Sequence, residues 1–354
     1  MSFFKKSAFW KAVFKGPRYS YDKIPDLSSK VALVTGANTG LGYATMVALA
    51  GHGAHVIAAC RSEQRAMDAI KKAKREIKTK NPNAAAPKID FLQLDLNDIS
   101  SSAQAAKNFL SMGLPLHILI NNGGIATTPF ALSTDGIEQQ LAVNHVGHFV
   151  FTMGLLERIK ESQPSRIVVV SSLLHEVHPK GGIDFETIND ETIMSPGERY
   201  GRSKLANLLF AKALARLLKG ERVYVNVAHP GLVATELNRS NEASFGKVGS
   251  RLLEGMNKVF AVKPEVGALT QLYCATSPEI ESNDARGKYF IPIAHELDPN
   301  PIAFDEDLQE RLWNWTENIL LCVVKGVPSA LFAIRANNLR NHRRECRPDS
   351  QHNS

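Results

Sequence analysis

Seven short strand-length runs recur along this chain, Val31–Thr35 the clearest in having no alternation, and that pattern limits the fold more than any other feature. They are Val31–Thr35, Ala54–Ala59, Ile89–Leu94, Leu116–Ile120, Arg166–Val170, Val223–Ala228 and Lys288–Ile291. A run apolar at successive positions, rather than at every second one, belongs to a strand covered on both faces, as parallel strands are. Helical stretches separate the runs: Tyr43–Gly51, a strongly charged one over about 62–80, then about 98–111, 134–160, one carrying Tyr200, and about 264–276. This alternation predicts the α/β class, with a central parallel sheet of about seven strands, doubly wound with helices on both faces. One such domain is expected over 28–318, between a segment 1–27 and a tail 319–354.

In doubly wound sheets ligands bind beyond the carboxyl ends of the strands, near the point where strand order reverses. Every unusual cluster in the sequence falls at such an end: Gly36 to Gly42, Cys60-Arg61, Asp95, Asn121 to Gly124, Ser171-Ser172 and Pro230-Gly231. Glycines at 36, 40 and 42 let the backbone turn sharply and approach a pyrophosphate, which then meets the amide-rich start of a helix. The spacing is neither G-x-G-x-x-G nor a P-loop. An acid at the end of the second strand would repel a 2′-phosphate; here Cys60 and Arg61 occupy that place, and arginine attracts one. The expected cofactor is NADP(H) rather than NAD(H).

Tyr200 and Lys204 stand four apart on a predicted helix, hence on one face. An ammonium beside a phenol favours the phenolate and lowers its pKa from about 10, toward a range where protons are exchanged near neutrality.

Thr35-Gly36-x-x-x-Gly40-x-Gly42, Asn121-Asn122-x-Gly124, Asn144, Ser172, Tyr200-x-x-x-Lys204 and Pro230-Gly231-x-Val233-x-Thr235, taken in order, resemble the short-chain dehydrogenase/reductase superfamily. The resemblance covers roughly 28–320 and is nearest the retinol dehydrogenase and WW-domain oxidoreductase branch, with no WW-type segment. It implies a Rossmann-type domain in which Tyr200 is the general acid/base and Ser172 holds the substrate oxygen, Ser171 facing the sheet. Lys204 would bind the nicotinamide ribose and lower the Tyr200 pKa, and Asn144 would hold a water linking Lys204 to solvent. Cofactor contacts are implied for Gly36, Asn38, Thr39, Gly40, Leu41, Gly42, Arg61, Asp95, Leu96, Asn122, Gly123, Tyr200, Lys204, Pro230, Gly231, Val233 and Thr235. Asp95 would bond the adenine; its other reading is a cap for the helix starting near Asp98. Gly123 departs from the family's usual alanine, and the 172–200 gap is long. That gap holds His175 and His178 without a third ligand, so no metal is expected.

The net charge of +7 resides in the termini. Residues 1–18 carry +5 and 335–354 carry +3, and subtracting both from +7 leaves −1 for 19–334. A near-neutral domain excludes a nucleic-acid-binding face. Phe3, Trp10 and Phe14 at helical spacing among four lysines read as a helix in a membrane interface, or as one packed on the domain itself. The run 319–334 is too short and interrupted to span a bilayer. With the arginine-rich tail it predicts peripheral contact with a membrane or lipid surface. The expected location is intracellular: the cytoplasmic face of the endoplasmic reticulum or a lipid droplet, or the cytoplasm. Unpaired Cys60, Cys274, Cys322 and Cys346 suit a reducing compartment.

Leu252, Leu253, Met256, Val259 and Phe260 form an apolar stripe, read either as a cover for a hydrophobic substrate or as packing on the domain. The predicted activity is carbonyl–alcohol interconversion on a retinoid, steroid or long-chain aldehyde; the alternative is a non-catalytic scaffold sensing redox state. Helices 134–160 and 196–219 resemble those through which the family dimerises, so a homodimer is expected unless the tails block it.

Overall fold

The computed structural model describes residues 16–82, 85–233 and 261–323. The aromatic segment 3–14, Thr235, the stripe 252–260 and the tail 324–354 lie outside the described residues.

Eight strands form one sheet in the order β3-β2-β1-β4-β5-β6-β7-β8. They are β1 (Val31–Thr35), β2 (His55–Cys60), β3 (Ile89–Gln93), β4 (Ile118–Asn121), β5 (Ser165–Val170), β6 (Val223–Ala228), β7 (Tyr289–Ile291) and β8 (His295–Glu296). All pairings are parallel except β7 with β8. The order reverses between β1 and β4, so the switch point lies beside the glycine loop. β8, the eighth strand, is absent from the sequence reading because two residues carry no periodicity.

Helices α1 (Gly40–Gly51), α2 (Glu63–Lys80) and α6 (Pro264–Thr276) cover one face, and α3 (Ile99–Ser111), α4 (Gly147–Glu161), α5 (Pro196–Leu217) and α7 (Glu306–Val323) the other. Successive strand residues point to opposite layers. Leu33, Ile57, Leu119 and Val169 join Phe109, Phe149, Leu208 and Leu312; Val34, Ala58, Ile120 and Val168 join Leu49, Ile70 and Leu272. Both sets being buried produces the continuous apolar runs.

Local chemistry sets the helix starts. Ser62 caps α2 and Asp98 caps α3, each accepting a backbone N–H three residues on. A reciprocal capping box of Ser195 and Glu198, with Pro196 in the first turn, launches α5.

Three segments differ from expectation. The helix predicted over 134–160 begins as one turn at Gln139–Leu141, passes through a π-helical turn at Ala142–Val146, and becomes α-helical only at Gly147. Residues 16–27, set apart from the expected domain, pack onto it: Tyr19, Ile24 and Leu27 are buried, and the Tyr19 hydroxyl meets that of Thr276 at 2.7 Å. Their apolar residues are too sparse to show a period. Helix α7 runs through the expected boundary at 318, and Leu320 is buried.

Candidate active site

The glycine loop closes β1 onto α1. Gly36 has φ +65° and Gly40 φ +54°, backbone that side chains rarely adopt. A Cβ on Gly42 would run into the Gly36 carbonyl and lie 2.7 Å from the Asn122 amide, so the loop is closed tightly enough to need glycine there. The opposite wall is Asn122-Gly123, latched to β1 through Thr35. Asn122 Nδ2 donates to the Thr35 carbonyl at 2.8 Å, and the backbone N–H groups of Asn122 and Gly123 donate to the Thr35 hydroxyl at 2.9 and 2.8 Å. A Cβ on Gly123 would come 2.9 Å from Leu96 Cδ1, so Leu96 fills the space an alanine would take. This cradle of bare backbone at a helix N-terminus fits the pyrophosphate of a nicotinamide dinucleotide.

Around it, Asn38, Thr39 and Gly40 share a cleft of about 350 Å³ with Arg65, Asp68 and Lys72. Arg61 is exposed at the end of β2. Asp95 Oδ1 accepts the Asn97 N–H at 3.0 Å, leaving the cap of α3 to Asp98. Leu41 and Val233 pack where α6 begins, at Gly267. Gly231, after Pro230, has φ +85°, and Val233 bridges to Val262.

The catalytic candidates converge at the carboxyl end of β5. The Ser172 hydroxyl stands near enough to the buried Tyr200 phenol to oppose the rise in its pKa. Ser171 faces inward, donating to the Lys204 carbonyl at 2.8 Å. Lys204 Nζ donates to the Val170 carbonyl at 3.2 Å and lies 5.6 Å from the centre of the Tyr200 ring. Asn144 sits within the π-helical turn; its Oδ1 accepts from Ile125 N at 2.9 Å, and its Nδ2 donates to the Ile125 carbonyl and the Ser203 hydroxyl. Ser203 in turn donates to the Tyr200 carbonyl at 2.7 Å.

Electrostatics depart from the sequence expectation. Burial pushes the Tyr200 phenol up to about 12, with the Ser172 hydrogen bond acting the other way, and burial lowers Lys204 to about 8. Desolvation dominates, so the tyrosine stays protonated at neutral pH. It is a proton donor first.

Gly201 was not singled out in the sequence, yet it sets the Ser172–Tyr200 approach. A Cβ there would overlap the Val177 carbonyl and lie 2.6 Å from that of Leu174, in the 3₁₀ turn Leu173–Glu176 that Ser172 caps. Gly201→Ala must push this turn off α5, and a shift near 1 Å costs about a hundredfold in turnover. Near wild-type turnover in that variant would show the contact to be slack. A glycine one residue past the tyrosine was the available signal, but helical glycines mostly lack such a role.

A nucleotide cradle at the switch point, beside a paired serine and tyrosine with a buried lysine, defines an oxidoreductase that uses a nicotinamide dinucleotide. Comparison with known proteins agrees: the family model for short chain dehydrogenases matches residues 30–185. Retinol dehydrogenase 14 of Homo sapiens is 38% identical over 322 residues, covering 88% of this chain and 94% of that protein. Retinol dehydrogenase 11 of Mus musculus is 43% identical over 256 residues, covering 72% and 76%. The chain therefore belongs to the short-chain dehydrogenase/reductase family and is retinol dehydrogenase-like. A solved structure from Mycobacterium paratuberculosis, 29% identical, superposes with a TM-score of 0.65 over 85% of this chain and 97% of its own. A Beutenbergia cavernae protein solved with NADP shares the fold at a TM-score of 0.56, at 23% identity over 76% and 97%.

Proposed function

We propose that the protein is an NADP(H)-dependent oxidoreductase that interconverts a carbonyl and an alcohol on an apolar substrate, with Tyr200 as general acid/base. The observation that carries this reading is the convergence of the Ser172 and Tyr200 hydroxyls beside Lys204, whose Nζ lies 5.6 Å from the tyrosine ring. A bound nicotinamide dinucleotide supplies or accepts the hydride. The chain's part is to aim two hydroxyls at a carbonyl oxygen, stabilise the charge that develops on it and release one proton from Tyr200 Oη. A binding scaffold has no use for that relay.

An apolar substrate is supported by Leu174, Val177 and Leu232, exposed in the loops that follow β5 and β6. The retinol dehydrogenase relatives point the same way. The test is an NADPH-oxidation screen over retinal, steroid ketones, long-chain aldehydes and small quinones. Turnover confined to small polar carbonyls would overturn the substrate assignment.

Arg61 carries the choice of NADP(H). Arg61→Glu replaces an attraction for the 2′-phosphate by a repulsion, so the NADPH/NADH preference in kcat/KM should fall about a hundredfold, from one charged hydrogen bond lost and one repulsion gained. An unchanged ratio would assign phosphate recognition elsewhere. Peripheral membrane contact is proposed for the basic termini, of which 1–15 and 324–354 lie outside the described residues. No helix among the described residues is long and apolar enough to cross a membrane.

A further inference from the structure

The nucleotide cradle and the proton relay are joined by one side chain that neither needs directly. His148, in the first turn of α4, is 2% exposed. Its Nδ1 lies 3.1 Å from the Asn144 carbonyl and its Nε2 lies 2.8 Å from the Thr35 hydroxyl, 113 residues away in sequence. A backbone carbonyl only accepts, so Nδ1 carries the hydrogen and Nε2 is the acceptor. The Thr35 hydroxyl must then donate to Nε2, which leaves its two lone pairs for the Asn122 and Gly123 N–H groups. The competing acceptor for that hydroxyl, the Ile120 carbonyl, is farther off at 3.4 Å. Every donor and acceptor in the chain Gly123–Thr35–His148–Asn144 is accounted for by this one tautomer.

We propose that His148 is a positioning residue that ties the nucleotide loop to the relay asparagine. Its Nε2 orients the Thr35 hydroxyl that latches Asn122-Gly123, and its Nδ1–H holds the Asn144 carbonyl within the π-helical turn. Burial pushes the imidazole down to about 4; Lys204 is the charged group acting on it and lowers it further, while the bond to Asn144 opposes. The ring therefore stays neutral and keeps one hydrogen-bond direction throughout the working range. The inference rests on the proposed carbonyl–alcohol reading, since only there does the asparagine serve a relay.

Two substitutions separate the two ends. His148→Gln can place an amide oxygen near the Nε2 position, keeping the acceptor for Thr35 and losing the donor to Asn144. His148→Asn can place an amide nitrogen near Nδ1, with the opposite result. NADPH affinity should fall about five- to tenfold in the asparagine variant and little in the glutamine variant, while kcat should fall about five- to tenfold in the glutamine variant, each the worth of one buried hydrogen bond. A purely structural role would move both quantities together, in step with melting temperature, and that outcome would overturn the proposal.

Nitrogen-15 NMR of the histidine rings in the full chain supplies a readout that needs no turnover. The resonance lost in either variant should show a protonated Nδ1 and a bare Nε2, unchanged over about pH 5 to 8. A proton on Nε2, or titration within that range, would sink the proposal even if both variants fold poorly. If wild-type protein binds NADPH but reduces nothing in the screen, the functional reading fails, and the NADPH-affinity and NMR arms still decide the role of His148.

Discussion

Tyr200→Phe should lower turnover by roughly a thousandfold while leaving NADPH bound, since general acid–base catalysis contributes about that much. The phenol is buried beside Ser172, so losing the oxygen removes the proton donor with little change of shape. The effect belongs in kcat, with the cofactor dissociation constant, read by NADPH fluorescence, nearly unchanged. Substantial residual turnover would move the acid to another group.

The pH profile carries a sign. Reduction needs a protonated phenol, which Tyr200 keeps up to about 12. Reduction should therefore hold through neutrality and decline as Lys204 loses its proton near 8. Oxidation needs the phenolate and should keep rising with pH toward about 12.

Glu138→Ala should cost about 3–5 kcal/mol of stability in urea unfolding, the penalty of leaving a buried charge without its partner. Glu138 is fully buried. It pairs with Arg202 at 3.3 Å and Arg199 at 3.9 Å, and accepts the N–H groups of Gln140 and Leu141 at 3.0 Å each. Arg202, 1% exposed, also donates to the Ile188 carbonyl at 3.0 Å. The carboxylate thus joins the approach to α4, the helix bearing Tyr200 and the long loop before it. A loss below about 1 kcal/mol, the range of exposed pairs, would mean that water reaches the cluster.

The sheet was legible because parallel strands buried on both faces are mostly apolar, and Val31–Thr35 and Val223–Ala228, buried at every position, each carry one polar residue. Much of the site was legible for a related reason: residues at strand ends, such as Gly36, Asn122 and Ser172, are placed by the strands themselves. Helical spacing put Tyr200 and Lys204 on one face, and the family resemblance supplied their roles. The electrostatics were not legible, since the pKa of Tyr200 depends on its burial, and burial is a property of the whole fold.

The chain order of strands, helices and polar strand ends was determined by the sequence, because each rests on contacts between neighbouring residues or on a fixed period. Tertiary structure alone decided that Gly201 must lack a side chain, that Glu138 faces two arginines and that His148 spans from Thr35 to Asn144. These contacts join residues tens of positions apart, with no repeat to announce them, and they exist only once both layers have closed on the sheet.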